Sequence, residues 1–222
     1  MEKIHRNRAA TTQRIVEALE QVLTEQGLEG VSISEIAQKA NVSKVLIYRY
    51  FGDIEGLLEY YVQLGRIVPH YTPAWLEQIQ PVQPADLAPI WSNQSLQLFR
   101  QMRSSRSSRE LLKATVRENN SIAQTVSATL DNELTNLVNQ LAFIEGSDHQ
   151  ATSAVLLGAL SYLTIQAQND RPVIGIDLRS EGGWQRIEEA IKAIYKALAQ
   201  LAIDSPTSHI ALKPSSVAVS TW

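Results

Sequence analysis

From Ser43 the chain reads Ser-Lys-Val-Leu-Ile-Tyr-Arg-Tyr-Phe. Lys44, Tyr48, Arg49 and Tyr50 can donate hydrogen bonds to phosphate oxygens or base edges, and Val45 and Leu46 are suited to meeting a thymine methyl. This set recognises a ligand rather than making or breaking bonds. Nothing else in the chain argues for catalysis. There is no cysteine, so thiol nucleophiles, thiolate metal sites and disulfides are excluded. His5, His70, His149 and His209 are scattered, without a pair at metal spacing, and there is neither a glycine-rich phosphate loop nor a nucleophile motif. The expectation is a non-enzyme with no metal and no cofactor.

Side chains of this kind can enter a groove only from a short helix that something else holds. Ser43 is a good N-cap for such a helix and Gly52 ends it. Ahead of it, Ser32 and Glu35 have the spacing of a capping box, and Ile33, Ile36, Ala37 and Ala40 supply a buried side. Asn41 breaks the pattern between the two, as a residue that tolerates the left-handed conformation, and Val42 can plug the turn. Ile15, Ala18, Leu19, Val22 and Leu23 form one apolar face of a first helix, with Thr11 or Thr12 as its cap and Gly27 at its end. Asp53 caps a fourth helix that turns Leu57, Leu58, Tyr61 and Val62 inward. Two short helices joined by a tight turn are the helix-turn-helix, whose second helix reads the major groove. Spacing alone also fits two capped helices with Tyr48 and Phe51 as plain core.

The residue pattern goes further. Ser32-Ile33-Ser34-Glu35-Ile36-Ala37, Ala40-Asn41-Val42-Ser43, Ile47-Tyr48-Arg49-Tyr50-Phe51 and Leu57-Leu58 together resemble the tetracycline-repressor (TetR) family. About 45 residues carry the likeness, and Ile176-Asp177-Leu178-Arg179 followed by Trp184 also looks like the end of many members. The resemblance implies an operator-binding homodimer, and the polar groups within residues 151–169 argue against a membrane span. Ser43 would then cap the recognition helix and touch phosphate, Tyr48 and Tyr50 would contact the backbone, and Lys44, Val45 and Leu46 would face the bases. Ser32 and Arg49 complete the expected DNA-binding set. Three positions depart from the family: Asn41 stands where Gly is frequent, Val45 where Gly or Ala is, and Ile54 where Lys is. The last removes a phosphate contact and should make the salt dependence shallower.

The rest of the 222 residues must supply a body. Helical periodicity dominates and no alternating strand stands out, so the fold class is all-α. Residues 1–52 hold seven Lys/Arg against six Asp/Glu, and the remainder 13 against 17. Lys3, Arg6, Arg8 and Arg14 near the start face only Glu2, which suits either a phosphate contact or a solvated terminus. Pro69, Pro73, Pro81, Pro84 and Pro89 point to an irregular connection. Further helices are expected near 90–102, 108–117, 121–144, 151–168 and 184–202. The partition is a helix-turn-helix domain at 1–55, a larger helical effector-binding and dimerisation bundle at 56–203, and a tail at 204–222.

Within the bundle, Ile187, Ile191, Ile194, Leu198 and Leu201 follow heptad-like spacing. The uncharged stretch 151–168, with small Ala154, Gly158, Ala159 and Ser161, reads as buried on all sides. Leu156, Leu160, Ile187, Ile191, Ile194 and Leu198 are the expected dimer contacts, with a monomeric bundle core as the alternative. A small-molecule effector pocket is implied by the resemblance, with Trp91, Phe99, Tyr162 and Gln166 as candidates and Trp75 near its entrance. Arg100, Arg103, Arg106, Arg109, Lys113 and Arg117 would form a basic stripe on continuous helix, but the serines at 104–105 and 107–108 argue for a break. No secretory leader or confident membrane span is legible, so a cytoplasmic protein is expected. The functional expectation is a repressor that binds a pseudo-palindromic operator and is released by a small molecule. The rival is a helical ligand-binding or scaffold protein without operator binding.

Overall fold

The structure, a computed structural model, describes residues 2–117, 120–144, 147–204 and 210–211, with side chains for all of these except residues 2–7, 117, 202, 210 and 211. Ten α-helices run through them: α1 Glu2–Gln26, α2 Ile33–Ala40, α3 Lys44–Phe51, α4 Ile54–Val62, α5 Pro73–Gln78, α6 Leu87–Ser104, α7 Arg106–Arg117, α8 Ser121–Gln140, α9 His149–Gln168 and α10 Glu181–Asp204. Two-residue strands β1, Phe143–Ile144, and β2, Ile210–Ala211, pair antiparallel. The chain is therefore all-α apart from this pair. Its residues group into two units, 1–68 with 101–133 and 69–100 with 134–222.

In the first unit α1 packs against α2 and α7. The face expected of α1 is its buried face: Ile15, Leu19, Val22 and Leu23 are inaccessible, as are Ile36, Ile47, Leu57 and Leu58 from the following helices. Gly27 ends α1 at φ 71°. The start of α1 differs from the sequence expectation. The helix runs unbroken from Glu2, and Thr11 is a buried mid-helix residue rather than a cap. Polar contacts lock α4 in place. The Tyr61 hydroxyl donates to Ser107 Oγ at 3.1 Å, and Ser107 pairs with Ser105 at 2.7 Å. Burial holds the Tyr61 phenol above its ordinary pKa, while the bond to Ser107 pulls the other way. Gln101 Nε2 donates to the carbonyls of Gly65 and Arg66 at 3.1 and 2.7 Å.

The second unit is built round Leu96, Phe99, Leu156, Leu160, Leu178, Trp184, Ile191 and Tyr195. Phe99 and Trp184 meet with ring centroids 5.1 Å apart. The proline-rich stretch is more ordered than expected. Thr72 Oγ1 accepts from the Trp75 amide at 3.3 Å, and Pro73 occupies the first turn of α5, where a missing N–H costs nothing. Pro84–Asp86 adds a 3-10 turn. The expected helix 121–144 stops at Gln140, because Phe143 and Ile144 pair with Ala211 and Ile210. That pairing engages two residues of the 204–222 tail; the others beyond Asp204 lie outside the described residues.

The basic stripe does not form. A break at Ser105 separates α6 from α7. Arg100 is ion-paired with Glu188, Lys113 with Glu110 at 2.8 Å, and Arg109 donates to the Arg103 carbonyl. The Arg117 side chain lies outside the described residues, as do those of Lys3 and Arg6.

Candidate nucleic-acid interface and cavity

α2 begins at Ser32, whose Oγ accepts from the Glu35 amide at 3.2 Å. The box stays half-closed, because Glu35 Oε1 accepts from Gln26 Nε2 at 3.2 Å instead of reaching back to the cap. Asn41 ends α2 in the left-handed region, φ 52° and ψ 52°, and its successor Val42 donates to the Ala37 carbonyl at 3.0 Å. Ser43 then caps α3, accepting from the Leu46 amide at 3.3 Å. Asp53 does the same for α4 through the Gly56 amide at 2.7 Å. A Cβ on Gly56 would lie 2.1 Å from the Phe51 carbonyl oxygen, so the end of α3 and the start of α4 can approach this closely only because residue 56 is glycine.

Ile47 is buried and fixes α3 to the unit. The opposite side of α3 is free. Lys44, Val45, Tyr48 and Arg49 are all exposed, at i, i+1, i+4 and i+5, which places them on one helix face. Val45 is 74% and Tyr48 50% exposed, which excludes the core role that spacing alone permits for Tyr48. Among the described residues neither Lys44 nor Arg49 has an acidic partner. Leu46 and Tyr50 are half-buried and turn from this face, while Ser32 and Ser43 are exposed at the helix starts. Tyr50 is instead a junction: the Arg8 guanidinium stands 5.2 Å and that of Arg49 5.8 Å from its ring centroid, within cation–π reach. Arg8, from the basic stretch of α1, thus joins the α3 surface. Ile54 is half-buried in the first turn of α4.

The second unit contains a cavity of about 90 Å³, lined mostly by aliphatic and aromatic side chains from α6, the end of α8, β1, α9 and α10. Of the four pocket candidates, Trp91 lines it. Its Nε1 donates to the Ala142 carbonyl at 2.8 Å. Phe99 belongs to the core cluster, Tyr162 is 53% exposed on the outside of α9, and Gln166 is half-buried away from the cavity. Trp75 does not line the cavity but is linked to it: it stacks on Tyr71 at 3.9 Å, and the Tyr71 hydroxyl meets Gln94 Oε1 at 2.5 Å. Gln94, Ser95 and Tyr195 line the wall, and the last two share a 2.5 Å hydroxyl–hydroxyl bond. Burial raises the phenol pKa of both Tyr71 and Tyr195, so both are neutral hydrogen-bonding groups at neutral pH.

The expected dimer contacts need correction. Leu156, Leu160 and Ile191 are core residues, and Ile187 and Leu198 pack against them. Of the six, Ile194 is exposed, at 42%. The stretch 151–168 is not buried all round either. Ala151, Ala154, Val155, Gly158, Ala159 and Tyr162 form an exposed stripe on α9, and Ala190, Ala193, Ile194, Ala197 and Leu201 form another on α10. Both helices are apolar on two sides, and the heptad pattern does not distinguish the side taken by the unit's own core from the one left outside.

The profile of "Bacterial regulatory proteins, tetR family" matches residues 15–61, from the buried half of α1 to the end of α4. Residues 15–61 thus carry the N-terminal helix-turn-helix domain that this family's profile describes. The HTH-type transcriptional regulator BetI of Burkholderia thailandensis is 39% identical over 46 residues, which cover 21% of this chain and 24% of that one. The chain thus spans about a quarter of the length of the curated relatives it matches. Two solved structures extend the likeness in fold to most of the chain. A TetR-family regulator from Streptomyces coelicolor has TM-score 0.52 at 16% identity, covering 86% of this chain and 94% of its own. FadR from Bacillus subtilis, solved with stearoyl-CoA, has TM-score 0.52 at 17% identity, covering 83% and 97%.

In the cavity wall, sequence reasoning missed Gln94, Ser95 and Tyr195. One signal was available: Gln94 and Ser95 interrupt the apolar stretch of α6 with polar groups on its buried side. Tyr195 gave none, since it follows Ile191 by one turn and reads as core. From the sequence, Arg8 reads only as part of a basic terminus.

Proposed function

We propose that the protein is a transcriptional repressor that binds a pseudo-palindromic operator as a homodimer and releases it when a small molecule fills the cavity. The observation that carries this reading is the outer face of α3. Among the described residues Lys44 and Arg49 are cations without carboxylate partners, Tyr48 is a donor, and Val45 is an exposed apolar group. A face of this kind on a short, capped helix fits the major groove, where phosphate contacts position the helix and base edges specify the sequence. Ser32 and Ser43 donate to phosphate at the helix starts, Tyr50 and Arg8 support the backbone contacts, and Leu46 lies at the edge of the base-reading surface. Residues 1–55 act as the reading head, 56–203 as the effector and dimer region, and 204–222 as a tail.

Dimerisation is supported by the two exposed apolar stripes. Their small residues let helices approach closely, and apolar faces of this length are unfavourable in water. Packed on a second copy, α9 and α10 make a four-helix interface. Such an isologous pair presents two α3 helices to matching half-sites.

The test is a mobility shift with the DNA upstream of the protein's own gene. The parent should bind with a steep loss of affinity as salt rises. The double variant Lys44→Ala/Tyr48→Ala should bind at least about tenfold more weakly, two contacts having been removed. Equal binding by parent and variant would refute the assignment of α3.

A further inference from the structure

The cavity wall is mostly apolar, and among the described residues lining it there is no Asp, Glu, Lys or Arg; the one imidazole is His149, stacked on Phe143 with its Nε2 buried and without a hydrogen-bond partner. Gln94 stands out. The residue is 7% exposed. Its Oε1 is taken by the Tyr71 hydroxyl at 2.5 Å, and the phenol, as donor, fixes which end of the amide that is. The Nε2 amino group, with two N–H donors, has no protein partner among the described residues. Tyr71 is itself clamped by stacking on Trp75, so the amide is held in this orientation from outside the cavity. Next to it, Ser95 and Tyr195 share one hydrogen bond at 2.5 Å. Two hydroxyls carry two protons and that bond uses one, so a third donor remains on the wall.

The Gln94 amino group opens onto the cavity, where water can reach it, and a ligand that displaces that water from an apolar surrounding must offer an acceptor oxygen in its place. Apart from the His149 imidazole, a formal charge on the ligand would meet no ionisable side chain among these residues and would lose its hydration. We propose that the cavity takes an uncharged, mostly apolar molecule carrying a carbonyl-type acceptor oxygen, which Gln94 Nε2 binds. The inference rests on the cavity being the effector site, and it names the chemical class of that effector.

The experiment titrates the full-length protein by calorimetry with three probes of similar shape: 2-acetylnaphthalene, 2-ethylnaphthalene and 2-naphthoate. The ketone should bind once per chain, about tenfold tighter than the hydrocarbon, the gain from one buried hydrogen bond. Naphthoate should bind more weakly than the ketone. Gln94→Leu should bring ketone and hydrocarbon to within about twofold of each other, because the donors are gone. The double variant Tyr71→Phe/Gln94→Leu removes both polar partners and should give the same result even where the single variant folds poorly. Tyr71→Phe alone keeps the donors and should keep the preference. A ketone preference that survives Gln94→Leu overturns the proposal. So does naphthoate as the tightest probe, or no binding by any of the three. Adding the ketone to the operator complex separates the two readings. Gln94-dependent binding that leaves the complex intact preserves the ligand class and refutes release.

Discussion

Gly56→Ala tests how α3 is held. In an exposed helix interior, alanine for glycine is worth about 1 kcal/mol of stability. At position 56 the new Cβ would stand 2.1 Å from the Phe51 carbonyl oxygen, where contacts under 3.0 Å are essentially never seen. The end of α3 and the start of α4 must then separate by about 1 Å, and forced repacking of this kind costs about 1–3 kcal/mol. Both junction elements are fixed. Ile47, Leu57 and Leu58 are fully buried on either side, and the Gly56 amide is held by Asp53 at 2.7 Å. The net expectation is a loss of about 1–2 kcal/mol, read as a fall of about 0.5–1 M in the urea midpoint at fixed protein concentration. The control is Gly182→Ala in the first turn of α10, where a Cβ meets nothing within 4 Å and the change should be neutral or stabilising. Gly56→Ala should also weaken DNA binding in a mobility shift, because Phe51 carries the end of α3 with it. A Gly56→Ala protein as stable as the parent, or gaining like Gly182→Ala, would refute the close-approach argument.

The turn before α3 gives a second test. Asn41→Val puts a β-branched side chain at φ 52° and should cost about 1–2 kcal/mol in a thermal melt, whereas Asn41→Gly should be close to neutral. For the dimer, Ala159→Glu sets a carboxylate in the middle of the exposed α9 stripe. In sedimentation velocity it should weaken self-association at least on the order of a hundredfold, and a persistent dimer would rule that stripe out. Alkaline pH tests the buried phenols. Tyr61, Tyr71 and Tyr195 all have raised pKa values, burial being the main cause. The folded chain therefore holds these protons more tightly than the unfolded one. Their contribution to stability is complete below about pH 10 and drains away as pH rises through the folded values. Absorbance at 295 nm should show these three ionising late, and Tyr195→Phe should remove one late step.

The N-terminal domain was legible because its signals are local. Ser32, Asn41, Ser43, Gly52 and Asp53 each act on backbone within a few residues, and the structure places each at the helix end its side chain suits. The start of α1 was misread for the same reason: Thr11 has the side chain of a cap, but nothing local shows that the helix already runs through it. Which face of an amphipathic helix meets its own core is legible when there is one apolar face, as in the stretch from Ile15 to Leu23.

By itself, then, the sequence determined the helix-turn-helix, its caps and the all-helical class, since these depend on propensities and spacings carried within short segments. Only the tertiary structure decided what α9 and α10 do. Each is apolar on two sides, so Leu156 and Ile191 could be assigned inward, and Val155, Tyr162 and Ile194 outward, only once the neighbouring helices were in place. The cavity belongs to the same class of fact. Trp91, Gln94 and Tyr195 are up to about a hundred residues apart in sequence, and a wall made from five elements leaves no mark in any one of them. The amino end of the Gln94 amide is left open to the cavity because Tyr71 takes the oxygen end and nothing in the described fold reaches the other.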